Sequence, residues 1–263
     1  MSKKIQDQRT VLIIQSGAMG DIYLVAPIAR HYRLNGYTVF WPVREPYFNL
    51  VENYFPYVNV GLVDDEKYPP LHDDWLRSDT IHLKKLGESG IYDVVLNLAD
   101  RGPEPLQRPD ETFEETKYRI ARVPIYFRNH LLWDRNEEKE NDIIDFVEKK
   151  YAMDITLSKF VLAHLESSND GKEEFPLKYH EYSDAVVEVE KIEGYEIVDW
   201  WGVAIRATAI YAVESSFHQF IEAAVFRLMH INSEIELQLL SRSSLSPGTR
   251  YTNSWEWGKK YMK

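Results

Sequence analysis

Four apolar residues in succession, Val11–Ile14, run into the small-residue stretch Ser16–Gly20. From Asp21 onward the apolar positions become Ile22, Val25, Ile28, Ala29 and Tyr32. A short, wholly apolar run bounded by turn residues suits a strand buried on both faces of a parallel sheet, and the spacing after it is helical. Asn35-Gly36 stops that helix. The pattern predicts further strands at Thr38–Val43, Val58–Val63 and Asp93–Leu98, with a short helix over 46–54. Strand alternating with helix implies βαβ units and a parallel, doubly wound sheet.

The charged stretch 134–150 carries Ile143, Ile144 and Val147 at helical spacing and predicts a helix leading to a domain boundary. The alternation then restarts. Strands are predicted at Phe160–Leu165, Ala185–Val189, Ala209–Val213 and Ile235–Leu240, and helices over 197–208 and 216–228. Residues 179–182 suit a turn or short helix, and the tail 252–263, with Trp255, Trp257 and Tyr261, suits a helix folded back on the core. There is no internal repeat and no low-complexity linker. The simplest architecture is two consecutive α/β domains, 1–150 and 151–263, a division that the length of 263 residues accommodates.

Composition narrows the partners. The net charge is -11, from 42 acidic and 31 basic side chains, which argues against a broad nucleic-acid footprint. Cysteine is absent, which removes disulfides, thiolate metal sites and a cysteine nucleophile. The N-terminal MSKKIQDQRT has no apolar signal core, and no apolar run approaches the roughly 18 residues that span a bilayer. A cytoplasmic protein without an integral membrane segment is the expectation.

The chemistry concentrates at two joints. In the first, Ser16, Gly17, Met19 and Gly20 lead to Asp21 where strand passes into helix. Small residues there let a ligand approach the backbone, and the helix N-terminus favours anions. The spacing is neither G-x-G-x-x-G nor G-x-x-x-x-G-K-[ST], so the dinucleotide and phosphate-loop fingerprints are absent. Asp21 alone fits either a helix cap or first-turn acid, or a functional carboxylate. In the second joint, Glu214, Ser215, Ser216 and His218 follow an apolar strand and open a helix, either as a simple cap or as an anion site. Lys172 sits in the polar loop 169–172 and is either a surface lysine or a point charge for a phosphate. Trp200-Trp201 suits helix-to-sheet packing or a base-stacking platform. His72-Asp73-Asp74 lacks the further spaced ligands that a metal site needs.

Residues 15–43 resemble the opening of the heptosyltransferase-like glycosyltransferases (glycosyltransferase family 9), on Met19-Gly20-Asp21, Pro27, Gly36 and Val39. Residues 210–226 are similar to that family's later strand–loop–helix segment, on Glu214, Ser215, Ser216, His218 and Ala223-Ala224. Phe160–Leu165, Gly171-Lys172 and Phe175-Pro176 sit where the family has the first strand of its second domain and a basic loop. The segment departs from the family pattern: Glu replaces Asp, Ser216 replaces Gly, and His218 comes one place early.

The resemblance implies a GT-B fold, two Rossmann-like doubly wound domains facing across a cleft. It also implies transfer of a sugar from a nucleotide diphosphate to an acceptor hydroxyl. In that reading Asp21 is the general base of an inverting reaction, and Ser16, Gly17, Met19 and Gly20 form its loop on the acceptor side. Glu214, Ser215, Ser216, His218 and Lys172 hold the donor diphosphate. No cofactor or metal is expected, since no Asp-x-Asp occurs in the chain. The acceptor is a glycan or another hydroxyl, a modified DNA base included. Two rivals stand beside it: a non-catalytic nucleotide- or sugar-binding protein of the same fold, and another nucleotide-sugar-using α/β enzyme, an epimerase or reductase.

Overall fold

The computed structural model describes residues 9–63, 78–99, 108, 111–167, 171–172, 185–213 and 215–240. The chain divides into two compact units between Asp134 and Arg135.

The first unit runs β1 (Thr10–Ile14), α1 (Met19–Leu34), β2 (Thr38–Arg44), α2 (Glu45–Tyr54), β3 (Asn59–Val63), α3 (Ser78–Gly87), β4 (Val94–Asn97) and α4 (Phe113–Ile120), then a 3-10 turn at Ile125–Asn129. Its sheet has the order β3-β2-β1-β4 with every pairing parallel. The registers Val11↔Val39 and Val11↔Val94 place β1 at the centre. That explains why β1 carries no polar residue between Val11 and Ile14, which are all buried. Strand order reverses between β1 and β4, the position where open α/β sheets bind ligands. Gly36 ends α1 at φ +82, a conformation in which a side chain would be strained.

The second unit begins with α5 (Glu137–Tyr151), capped by Asn136. It continues through β5 (Phe160–His164), the two-residue strands β6 (Glu166–Ser167) and β7 (Gly171–Lys172), and β8 (Ala185–Glu188). A 3-10 turn at Ile197–Trp200 leads into α6 (Trp201–Ala204), β9 (Ala209–Val213), α7 (Ser216–Ala223), α8 (Val225–Ile231) and β10 (Glu236–Leu240). Its main sheet is again fully parallel, in the order β10-β9-β5-β8, so its reversal point lies between β5 and β9.

Several details differ from the sequence pattern. α3 and α4 are additional helices. The helix expected over 197–208 ends at Ala204, because Asn232 Nδ2 donates to the carbonyls of Ile205 and Ala207 and Thr208 turns its N–H to Phe160 O. The helix expected over 216–228 is divided at Ala224 into α7 and α8. The boundary drawn at residue 150 falls at the end of α5, whereas the contacts group α5 with the second unit, against α6 and the 3-10 turn before it. Residues 179–182 and 252–263 lie outside the described residues. Among the described residues no helix is long and apolar enough to cross a membrane.

Candidate functional site

In the first unit the loop after β1 is held from several sides. Trp41 Nε1 donates to Gln15 O at 2.8 Å, and Arg44 N donates to Ser16 O at 2.9 Å. Gln15 Nε2 turns back to Gly17 O at 2.9 Å. Ala18 then takes φ 66 and ψ 115 and precedes α1 without a side-chain cap. This is a strained setting for a residue with a Cβ, of the kind that costs about 1–3 kcal/mol. Ala18→Gly is therefore expected to raise the unfolding free energy of this unit by about 1 kcal/mol, net of the entropy glycine adds to the unfolded chain. Urea unfolding checks it; a fall in stability would show that the loop is relaxed as it stands.

Ser16 and Gly17 are buried, and Met19 and Gly20 form the first turn of α1. Asp21 is a first-turn acid, not the cap. Its two oxygens have separate partners. Oδ2 accepts from Gln15 Nε2 at 3.2 Å, and Oδ1 lies 3.5 Å from Lys117 Nζ. Lys117 comes from α4, which the capping box of Thr112 and Glu115 starts. Its ammonium also donates to Gln15 Oε1 at 2.5 Å and to Leu98 O at 2.6 Å, and it lies 4.4 Å from the centre of the Phe113 ring. The cation thus joins the chain just past the ends of β1 and β4, at the reversal of strand order. The Lys117 side chain is 2% exposed and that of Asp21 is 14% exposed, so the carboxylate remains reachable while the ammonium is enclosed. Neither Gln15 nor Lys117 stood out in the sequence; the only local signal was the Thr-x-x-Glu start of α4.

The second unit gathers Ser215, Ser216 and His218 at the start of α7, directly after β9. Ser215 is the N-cap: its Oγ accepts from His218 N at 3.3 Å. The His218 side chain is 1% exposed, with Nε2 4.0 Å from Glu222 on the next turn. Its imidazole therefore faces the core, not an open surface. Lys172 lies in β7, paired antiparallel with β6, where Glu166 is its partner. Glu214 lies outside the described residues, as do Phe175-Pro176 and His72-Asp73-Asp74. Trp200 and Trp201 are buried, and Trp201 meets Phe220 edge-on at 6.0 Å, which is packing and not a stacking platform.

One further residue belongs to this edge. His164 ends β5 and stacks on Phe217 of α7, with ring centres 5.4 Å apart. Burial pushes its pKa down to about 4, so the ring is neutral near pH 7. The apolar run FVLAHL concealed it. Among the described residues no group of three or more His, Asp or Glu side chains is placed to hold a metal ion.

No protein-family model matches the chain, and no curated protein matches it by sequence. Solved structures do. A glycosyltransferase family 9 protein from Veillonella parvula aligns at 12% identity and a TM-score of 0.56, over 94% of this chain and 85% of its own. The iron-containing dodecameric glycosyltransferase TibC from enterotoxigenic E. coli aligns at 10% identity and a TM-score of 0.50, over 96% of this chain and 63% of its own. The E. coli ADP-heptose heptosyltransferase II aligns at 10% identity and a TM-score of 0.47, over 92% of this chain and 88% of its own. With two fully parallel α/β units in the observed order, the chain has the GT-B fold of the family 9 glycosyltransferases.

Proposed function

We propose that this chain is a glycosyltransferase that moves a sugar from a nucleotide-diphosphate donor to an acceptor hydroxyl, with inversion at the anomeric carbon and without a metal. Asp21 is the general base. A hydroxyl is a poor nucleophile near neutral pH and needs a base within hydrogen-bond reach. The observation that carries the reading is the position of Asp21: partly exposed, held through both oxygens, at the strand-order reversal of a unit with this fold. Ser16, Gly17, Met19 and Gly20 shape the acceptor side. In the second unit the start of α7, past the end of β9, offers backbone N–H groups to the donor diphosphate. Ser215 and Ser216 shape that end, with Glu214, His218 and Lys172 beside it in the sequence reading.

The direct test is a panel of nucleotide diphosphates and nucleotide sugars. Bound donor at 100 times its dissociation constant adds about 2.7 kcal/mol of stability and raises the melting temperature. Donor hydrolysis or transfer to added glycans then separates an enzyme from a binding protein, and binding of a nicotinamide cofactor instead would favour the reductase or epimerase reading. In the same assay transfer is expected to survive EDTA. Activity lost to the chelator and restored by Mg²⁺ or Mn²⁺ would refute the metal-free mechanism.

A second variant locates the donor. Ser215→Leu is expected to weaken donor binding at least tenfold, about 1.4 kcal/mol, by crowding the phosphate. It also removes the cap bond to His218 N, which costs stability of about 0.5–2 kcal/mol. Ser215→Ala loses the cap without adding bulk, so the pair separates the two effects. Calorimetry measures both; normal donor affinity in Ser215→Leu would move the donor elsewhere.

A further inference from the structure

We infer that Lys117 is a positioning residue for the Asp21 carboxylate. The inference rests on the proposed role of Asp21 and adds the group that sets its geometry. A lysine at 2% exposure is costly. It loses most of its rotamer freedom, about 2 kcal/mol, and several kcal/mol of hydration. A methionine would fill the same space without either cost. What the ammonium provides is a fixed set of contacts: Gln15 Oε1 at 2.5 Å, Leu98 O at 2.6 Å and Asp21 Oδ1 at 3.5 Å. Gln15 in turn donates to Asp21 Oδ2 at 3.2 Å. The cation therefore acts on the carboxylate twice, directly through one oxygen and through Gln15 on the other. Because Leu98 follows β4 and Gln15 follows β1, the same ammonium locks the two strand ends that flank the reversal point. A carboxylate held through both oxygens can accept a proton along only a narrow approach, and small misplacements of a reacting group cost large factors in rate.

The test is a double-mutant cycle on transfer. Lys117→Met is expected to lower kcat at least tenfold while donor affinity, measured by calorimetry, stays within twofold. In the Asp21→Asn background the same substitution should have almost no further effect, since Lys117 then has no base to place. A merely structural lysine would give additive losses, and that result overturns the inference. If Lys117→Met does not fold, Gln15→Leu removes the second arm alone, and unchanged kcat in that variant overturns it. A readout independent of turnover is amide hydrogen exchange over 17–22. It should quicken at least tenfold in Lys117→Met or Gln15→Leu while β9 amides are unaffected, and unchanged exchange also overturns the proposal. The two levels fail differently. Near-normal turnover in Asp21→Asn sinks the general-base reading, whereas an inactive Asp21→Asn beside a fully active Lys117→Met sinks only the role of Lys117.

Discussion

Asp21→Asn is expected to reduce sugar transfer roughly 100- to 10,000-fold, the usual consequence of removing a general base. The amide is nearly the same size as the carboxylate and can still accept from Gln15 Nε2, so the loop after β1 should keep its path. It cannot take the acceptor's proton. The substitution is not neutral for folding. Lys117 loses an anionic partner at 3.5 Å, although it keeps Gln15 Oε1 and Leu98 O. A hydrogen bond involving a charged group contributes about 1.5–3 kcal/mol, so a loss of stability of up to that size is expected. The rate must therefore be compared at a temperature where both proteins are folded. Donor binding should remain near that of the parent, because the start of α7 belongs to the other unit. Turnover within a few-fold of the parent would show that Asp21 serves only the first turn of α1.

The strands were legible because their burial is one-dimensional information. Val11–Ile14, Phe160–Ala163 and Ala209–Val213 are buried along their whole length, and a strand covered on both faces must be apolar at every position. The same argument explains why α4 was not seen. Its buried residues are Glu114, Thr116, Lys117 and Tyr118, so the buried face carries no apolar stripe and periodicity has nothing to report. Its start was nonetheless written locally, in the reciprocal hydrogen bonds of Thr112 and Glu115. The domain boundary was misplaced relative to the contacts for a related reason. Composition shifts at the end of α5, but which unit a helix packs against depends on partners distant in sequence.

The candidate site was half legible. Asp21 and its small-residue loop, and the Ser215–Ser216 start of α7, follow strand ends and could be read from order alone. What gives Asp21 its geometry could not. Gln15 and Lys117 are separated by 102 residues and meet only because β1 and β4 are neighbours. His164 was hidden for the opposite reason: it closes an apolar strand, and its stacking on Phe217 requires β5 and β9 to be adjacent. His218 had the right spacing for a ligand-facing residue yet points inward, toward Glu222, which a helical wheel without knowledge of the packed face does not distinguish.

A second enclosed charge in the first unit gives the largest expected effect on stability. Arg128, in the 3-10 turn after α4, lies 3.8 Å from Glu114 Oε1, with side chains 2% and 1% exposed. Burial pushes the Arg128 pKa down and the adjacent Glu114 carboxylate opposes that shift. Such a pair is a poor source of net stability, because two desolvation costs offset the attraction. Removing one member is different, since it leaves the other enclosed without its counter-charge. Arg128→Met is therefore expected to destabilise the first unit by about 3–5 kcal/mol. Combining it with Glu114→Leu should recover most of that loss, because neither charge then remains and the volume is still filled. Urea unfolding, followed through the strand amides of the first unit, measures all three proteins. A coupling energy near zero, with the double variant as unstable as the sum of the single ones, would mean that the two charges are satisfied independently. A cost for Arg128→Met below about 1 kcal/mol would mean that the fold tolerates the enclosed carboxylate without its partner.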